Sequence, residues 1–343
     1  MNGYIPKDFN NENISHNEKF QRDEMYQETL EKRLRICLVI PVFNEAETVD
    51  IFIDEVNKVF LQDPVITVNF VFINDGSTDS TLDILLTRLK QDSRISIVDL
   101  SRNFGKEAAL TAGLHAAEGD VIVPIDVDLQ DPPELISAMV AKWRAGYEVV
   151  LARRINRDSD FWIKRTSANW FYRIHNKISY PKLPENVGDF RLMDRCVVDA
   201  LKELPESCRF MKGLFAWLGF RTTYIDYTRS ERIAGITKFN GWKLWNFALE
   251  GITSFSTYPL RIWTYLGFSV SFISFIFVVF IMTRVVFYGV DVPGYASLMV
   301  AVTFLGGLQL IGIGVIGEYL GRTYIESKRR PTFLIRRVYQ AKK

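Results

Sequence analysis

The chain has 343 residues, of which 48% are hydrophobic and 24% are charged. This composition is typical of one large folded domain or two ordinary ones, and it excludes an intrinsically disordered chain. The formal net charge of +2 argues against general binding to nucleic acid. The three cysteines and three histidines are scattered, so no disulfide framework, zinc site or Ser-His-Asp triad is expected, and a reducing compartment fits.

Residues 1–33 are polar and rich in Asn, Glu and Gln. They lack the basic and then apolar layout of a signal peptide. We therefore expect a polar N-terminal extension that is flexible or loosely helical, followed by the folded part of the chain from residue 34.

Short apolar runs then alternate with helical segments, as in a doubly wound, Rossmann-like α/β sheet. Polar turns follow the first four predicted strands and should share one edge of the sheet, where open parallel sheets bind ligands. No GxGxxG or GxxxxGK[ST] motif occurs in these turns, which argues against a dinucleotide dehydrogenase or a P-loop enzyme. The predicted strands are the run ending at Pro41, Val68–Ile73, Ile95–Leu100, Val121–Ile125 and Glu148–Ala152.

The fourth of these turns contains two carboxylates one residue apart, Asp126 and Asp128, at the end of a buried strand. Such a pair suits a hard divalent cation that also holds a substrate diphosphate. The alternative is that these acids, with Asp131, only form a solvated turn. The other polar turns on the same edge favour the metal–diphosphate hypothesis.

Two basic segments follow the predicted sheet. Residues 153–173 mix Arg and Lys with aromatic side chains, which suits a membrane interface near phosphate head groups or, alternatively, single-stranded nucleic acid. Residues 229–245 place Arg229, Arg232 and Lys238 around a glycine-containing loop that could hold a diphosphate or form a basic surface turn.

The C-terminal third predicts a membrane anchor. Residues 241–260 are typical of an amphipathic interfacial helix, and residues 262–283 and 295–317 are each long and uncharged enough to span a bilayer. Arg284 is the only basic residue of the connecting loop. The outer flanks, by contrast, are rich in Lys and Arg and include a basic tail at residues 319–343. The positive-inside rule therefore places the α/β domain and both termini in the cytoplasm. Glycines in the second span would permit a homo-oligomer.

Several motifs in order resemble the family 2 glycosyltransferases of the GT-A fold, and among them the enzymes that load bactoprenol (undecaprenyl) phosphate with glucose. The motifs are PVFNE, INDGS, RNFGKE, DVDLQDP, NVGDFRLM, RIAGITKFNGWKLW and IGEYLGRTYIE. The resemblance covers residues 34–338 and implies a GT-A nucleotide-sugar domain over residues 34–240, followed by the two transmembrane helices.

The resemblance also implies roles for individual residues. Asp126, Asp128 and Gln130 would bind Mg²⁺ or Mn²⁺, and Asp189 would be the catalytic base or would orient the acceptor. Arg153, Arg154 and Arg173 are weaker candidates for the lipid phosphate, with a solvated or head-group role as the alternative. The residues expected to bind the nucleotide sugar are Pro41, Phe43, Glu45, Asp75, Lys106, Asp126, Arg232 and Lys238.

The implied reaction is transfer of glucose from UDP-glucose to undecaprenyl phosphate, with inversion, at the cytoplasmic face of the bacterial inner membrane. The product would serve modification of O-antigen or another surface glycan, after a separate flippase and a periplasmic-side glycosyltransferase. Alternatives are another donor sugar (mannose, N-acetylhexosamine or formamido-arabinose) or a non-catalytic scaffold that binds nucleotide sugars at the membrane. A processive polysaccharide synthase is disfavoured, because two spans offer little material for a channel.

Overall fold

The computed structural model describes residues 33–60, 65–155, 182, 184, 186–206, 209–228, 256–288 and 294–341. The strands in these ranges are β1 (Leu34–Val42), β2 (Ile66–Asn74), β3 (Ile95–Leu100), β4 (Val121–Pro124), β5 (Val149–Arg154), β6 (Val187–Asp194), β7 (Thr222–Tyr227) and β8 (Ile335–Gln340). The helices are α1 (Val49–Phe60), α2 (Thr81–Gln91), α3 (Lys106–Ala116), α4 (Leu135–Arg144), α5 (Arg195–Lys202), α6 (Met211–Trp217), α7 (Tyr258–Tyr288) and α8 (Tyr295–Ser327).

The strands form one mixed sheet in the order β7-β5-β6-β4-β1-β2-β3-β8. Strands β3, β2, β1 and β4 are parallel neighbours, as predicted from the alternation of strands and helices. Strand β6 differs from this pattern, because it lies between β4 and β5 and runs antiparallel to both. This reversal brings the beginning of β6 to the edge of the sheet where the parallel strands end.

Each face of the sheet is covered by helices. Strand β1 alternates between the two cores, with Ile36, Leu38 and Ile40 in one and Cys37 and Val39 in the other. The first core includes buried side chains of α1, α2 and α4, and the second includes those of α3, α5 and α6. A strand that is buried on both faces is nearly continuously apolar, which is why these strands could be predicted from the sequence.

The C-terminal segment differs from the expected basic tail. Helix α8 continues to Ser327, and residues 335–340 form β8, which pairs antiparallel with β3 at the edge of the sheet. Tyr339 packs against the first core, while most of the strand is exposed, as its basic side chains require. The high charge of this segment concealed its strand pattern, because the edge position buries few of its side chains.

Helices α7 and α8 are long and apolar enough to cross a membrane, with candidate spans at Tyr258–Phe277 and Phe304–Ser327. Large apolar side chains such as Phe268 and Phe272 are exposed on them, which a lipid environment would cover. The two helices contact each other at Gly312, where an added Cβ would lie 3.3 Å from the Trp263 ring. The Tyr319 hydroxyl also donates to the Ser256 carbonyl over 2.6 Å.

The turn after β2 depends on a glycine. Gly76 has a φ of +68°, and an added Cβ would lie 2.5 Å from the backbone carbonyl carbon of Arg102 and the backbone nitrogen of Asn103. Gly219 has a similar φ of +71°, but the nearest atom to its added Cβ is 3.9 Å away. Substitution at Gly219 would therefore cause backbone strain alone, whereas substitution at Gly76 would cause backbone strain and steric overlap.

We predict that Gly76→Ala destabilises the protein more than Gly219→Ala does. Strain in the left-handed region costs roughly 1–2 kcal/mol at either position, and overlap with backbone atoms adds about 1–3 kcal/mol at Gly76. Thermal unfolding of both variants in detergent measures the difference. Equal losses at the two positions would contradict the close approach of the turns after β2 and β3.

Candidate active site

The turns after β1 and β2 are tied together by hydrogen bonds at the edge of the sheet. The backbone nitrogen of Asn44 donates to Ser77 Oγ over 3.0 Å, and the backbone nitrogen of Thr78 donates to Asn44 Oδ1 over 2.8 Å. The backbone nitrogen of Glu45 donates to Thr81 Oγ1 over 2.9 Å. These bonds hold the predicted nucleotide-binding turn, with Phe43 and Glu45 partly exposed, at the mouth of a crevice.

Asp75 joins the turn after β2 to the turn after β3. Its two carboxylate oxygens accept hydrogen bonds from the backbone nitrogens of Phe104, over 2.7 Å, and Gly105, over 2.9 Å. Burial raises the pKa of Asp75, and these two donors oppose the rise. The side chain thus sets the start of α3, a role that the sequence did not predict. Its expected contact with the nucleotide stays a prediction.

Lys106, at the start of α3, brings the two predicted acidic residues together. Its Nζ lies 2.7 Å from an oxygen of Asp126 and 2.9 Å from an oxygen of Asp189. Strand β6 pairs with β4 through Ile122 and Met193, and extending this antiparallel register by four residues places Asp189 opposite Asp126. Like charges placed close together repel, and the ammonium group between the two carboxylates offsets that repulsion.

The protonation states of Asp189 and Lys106 follow from their contact with each other and with Asp126. Burial raises the pKa of Asp189, but the charges of Lys106 and Lys212 outweigh it and hold the pKa well below its usual range. Burial lowers the pKa of Lys106, but Asp189 and Asp126 outweigh it and raise the pKa. Asp189 is therefore a stable anion at neutral pH and a weak proton acceptor, which favours the orienting role over the basic one.

The turn after β4 presents the predicted metal ligands. Val127 is buried in the core between Asp126 and Asp128, and Leu129 has a left-handed φ of 55° that turns the chain back. The backbone nitrogen of Gln130 then donates to Asp128 Oδ1 over 3.2 Å. The turn is therefore anchored by its apolar residue and offers carboxylate oxygens on either side of it.

This donor set fits Mg²⁺ or Mn²⁺ bound together with a substrate. Among the residues that the structure describes, no group of three or more His, Cys, Asp or Glu side chains forms a cage for a metal ion. Mg²⁺ does not need such a cage, since it commonly uses one or two carboxylates together with water and substrate phosphates. The cation of Lys106 beside Asp126 also shows that this edge attracts positive charge.

The arginines at the end of β5 have different surroundings. Arg153 is exposed and forms an ion pair with Asp226 of β7, with Nε and Oδ1 2.6 Å apart. Arg154 is mostly buried, donates to the Tyr227 hydroxyl over 3.1 Å and would lie 3.1 Å from a Cβ added to Gly188. Arg154 therefore lies beside Gly188, the residue before Asp189, whereas Arg153 lies at the sheet margin.

The hydroxyl of Tyr227 also donates to Asp131, and Arg154 Nη2 lies 3.8 Å from the same carboxylate. Asp131 is buried, so this network fixes the end of β7 beside the turn after β4. The sequence did not predict this buried network for Asp131. Among the predicted site residues, Arg173, Arg232 and Lys238 lie outside the described residues, and Pro41 lies within β1.

Comparisons with known proteins identify the family of this chain. The Glycosyl transferase family 2 profile matches residues 37–202. A prophage bactoprenol glucosyl transferase homolog from Escherichia coli K12 is 54% identical over 305 residues, which are 89% of this chain and 99% of that protein. The chain belongs to glycosyl transferase family 2. The GT-A fold and the glycosyltransferase activity expected from the sequence are therefore confirmed.

Further relatives of this glycosyltransferase come from phage and from solved structures. The bactoprenol glucosyl transferase of Shigella phage SfV is 54% identical over 303 residues, which are 88% of this chain and 98% of that protein. The solved glucosyl-3-phosphoglycerate synthase from Mycobacterium tuberculosis is 18% identical, covers 67% of this chain and 80% of its own, and has a TM-score of 0.47. The latter likeness is distant, and no assignment depends on it.

The glycosyltransferase has a second layer of charge that the sequence did not reveal. Glu107 is half-buried behind Lys106, and its Oε2 accepts from the backbone nitrogen of Met211 over 3.3 Å. Arg191 is buried, donates to the Gly188 carbonyl over 2.6 Å and stacks on the Phe215 ring at 3.9 Å. Glu107 and Arg191 are single charged residues within elements of secondary structure, and a single charge forms no periodic pattern from which its burial could be predicted.

We predict that Glu107→Gln changes how stability depends on pH. Burial and the charge of Asp189 raise the pKa of Glu107 to about 7, above the unfolded value of about 4.3. The folded protein therefore binds the Glu107 proton more tightly between these values, and its stability falls as the pH rises through that window. The variant should lack this fall.

Thermal unfolding in detergent between pH 5 and pH 8 tests this prediction, with about one unit between points. The control is Glu118→Gln, which removes an exposed carboxylate far from the crevice. Parallel curves for wild type and Glu107→Gln would show that the carboxyl does not titrate in this range.

Proposed function

We propose that this enzyme transfers glucose from UDP-glucose to undecaprenyl phosphate, with inversion, at the cytoplasmic face of the bacterial inner membrane. The E. coli and phage relatives support glucosyl transfer to a polyprenyl phosphate, since they match almost their full length. The observation that carries the proposal is the meeting of Asp126, Lys106 and Asp189 at one edge of a sheet that is joined to two membrane-length helices.

In this proposal the donor lies across the turns after β1, β2 and β4. Pro41, Phe43, Glu45 and Asp75 line the nucleotide end, and the family resemblance assigns Arg232 and Lys238 to the diphosphate. Asp126 and Asp128, with Gln130, would hold Mg²⁺ or Mn²⁺, which would supply positive charge for the departing diphosphate. Lys106 adds a fixed positive charge at the same place, and such preorganised charge stabilises the transition state more than the ground state.

The acceptor needs little help from a base. A phosphate monoester has a second pKa of about 6, so its oxygen is largely ionised at neutral pH. That oxygen forms a bond to the anomeric carbon, and the bond from this carbon to the UDP oxygen breaks with its electron pair leaving on UDP. Attack from the opposite side inverts the configuration. Asp189 keeps Lys106 in place and orients the acceptor.

Arg154 is the better of the described arginines for the acceptor phosphate, because it lies beside Gly188, the residue before Asp189, and close enough to Asp126 to interact with its charge. Arg153 is neutralised by Asp226 and would act only at the head-group region. Arg173 remains a further candidate.

The positive-inside distribution of charges supports a cytoplasmic crevice and cytoplasmic termini. A flippase and a periplasmic-side glycosyltransferase would handle the product.

A homo-oligomer is also part of the proposal. Side chains added at Gly306, Gly307, Gly314 or Gly317 of α8 would meet no atom within 4 Å. These positions would permit close contact with a second copy. The number of subunits is left to direct measurement by size-exclusion chromatography with light scattering.

The proposed reaction is tested by incubating the purified chain in proteoliposomes with undecaprenyl phosphate and a panel of radiolabelled nucleotide sugars. Label from UDP-glucose should enter the organic phase, and mass spectrometry should identify a hexosyl phospholipid. Preferential transfer from another nucleotide sugar would reject glucose. No transfer from any donor, with UDP still bound, would favour the non-catalytic scaffold.

For Asp128→Ala we expect loss of metal-dependent transfer from a chain that still folds and inserts into membranes, because one of two ligand carboxylates is gone. The organic-phase assay at several Mg²⁺ and Mn²⁺ concentrations measures this. The control Asp199→Ala removes an exposed carboxylate on α5. Unchanged transfer by Asp128→Ala would remove Asp128 from the metal site.

For Asp189→Asn we expect transfer to fall by about 10²–10⁴-fold while the affinity for UDP is largely retained. The amide cannot neutralise Lys106, so the acceptor loses its orientation. Single-turnover transfer and titration with UDP give the two quantities. A collapse of UDP affinity would assign Asp189 to the donor site instead.

A further inference from the structure

Strand β8 is connected directly to the membrane anchor. Helix α8 ends at Ser327, and residues 328–334 lead into β8, which pairs with residues 96–100 of β3. The backbone nitrogen of Ser101 donates to the Leu334 carbonyl over 2.9 Å, so the pairing extends to the beginning of the turn after β3. That turn leads to Lys106.

Arg336 of β8 reaches across to the end of β3. Its Nη2 donates to the Ser101 carbonyl over 2.7 Å, and its Nη1 lies 3.7 Å from Asp99 Oδ2. The Asp99 side chain is only 1% exposed, whereas that of Arg336 is 60% exposed. A buried carboxylate requires a compensating charge, and within the described ranges the cation paired with Asp99 is Arg336.

Asp99 continues the connection into the donor crevice. The amide nitrogen of Asn74 donates to Asp99 Oδ1 over 2.8 Å, and the amide oxygen of Asn74 accepts from the backbone nitrogen of Ser77 over 3.1 Å. Ser77 Oγ in turn accepts from the backbone nitrogen of Asn44 over 3.0 Å. A chain of polar contacts thus runs from Arg336 to the turn between Phe43 and Glu45.

We propose that Arg336 is a positioning residue for the nucleotide-sugar site, and that β8 couples the second membrane helix to that site through Asp99, Asn74 and Ser77. This inference rests on the proposed function, in which the turns after β1 and β2 bind the donor. Arg336 lies at the far end of the contact chain, so it acts through Asp99 and does not touch the donor.

The coupling also accounts for why a charged edge strand follows a membrane span. Strand β8 is exposed and rich in arginine, and it adds little to the core, because Tyr339 is its one partly buried residue. Its position instead fixes the turns after β1 and β2, which bind the donor in the proposed function. Loss of Arg336 would leave Asp99 buried without its cation and would loosen Asn74 and Ser77.

The test uses Arg336→Ala in the full-length chain in detergent, with Arg337→Ala as the matched control. Arg337 carries the same charge in the same strand, but its guanidinium lies 5.3 Å from the Tyr339 ring centroid. We expect Arg336→Ala to weaken UDP binding and to raise the KM for the nucleotide sugar, each about tenfold. The KM for undecaprenyl phosphate should change little. Arg336→Lys should restore part of the affinity.

Asp99→Asn supplies a second test that does not depend on a large truncation. If the two residues act as one unit, the double variant Arg336→Ala/Asp99→Asn should bind UDP no more weakly than the worse single variant. Unchanged UDP affinity in Arg336→Ala, or equal losses in Arg336→Ala and Arg337→Ala, would overturn the inference. A wild-type chain that binds UDP but transfers no sugar would overturn the proposed reaction and leave this coupling standing.

Discussion

The ammonium group of Lys106 between Asp126 and Asp189 is the interaction on which the crevice depends. Without a cation there, two carboxylates brought together by the antiparallel register of β4 and β6 would repel each other. The start of α3 must therefore be placed accurately. Asp75 does this by accepting hydrogen bonds from the two backbone nitrogens that precede Lys106 in the chain.

The same interaction separates the roles of the acids. Asp189 stays ionised because its partner charges hold its pKa well below the usual range, which suits orientation better than proton transfer. A phosphate acceptor makes this arrangement workable, because it brings its own charged nucleophile. An enzyme that glycosylates a hydroxyl group would need a stronger base at this position.

The sequence predicted the parallel part of the sheet and placed Asp126 and Lys106 at one edge, because strands buried on both faces are easily recognised and their polar turns follow directly. Asp189 was assigned to the site by the family resemblance alone. The sequence did not predict that Lys106 bridges the two acids, since the antiparallel insertion of β6 is a tertiary feature. Glu107 and Arg191 were missed because a single charge within an element has no periodic signal. Strand β8 was missed because an exposed edge strand of basic residues resembles a tail.

The most direct test of this account compares the thermal unfolding of Lys106→Met and wild type as a function of pH. If the lysine acts as the shared counter-charge, the stability deficit of the variant is largest at neutral pH and shrinks as the pH falls below about 4, because Asp189 takes up a proton more readily in the variant than it does beside Lys106, which holds its pKa well below the usual range. A deficit that is the same at every pH would show that Lys106 contributes packing alone and would contradict the account.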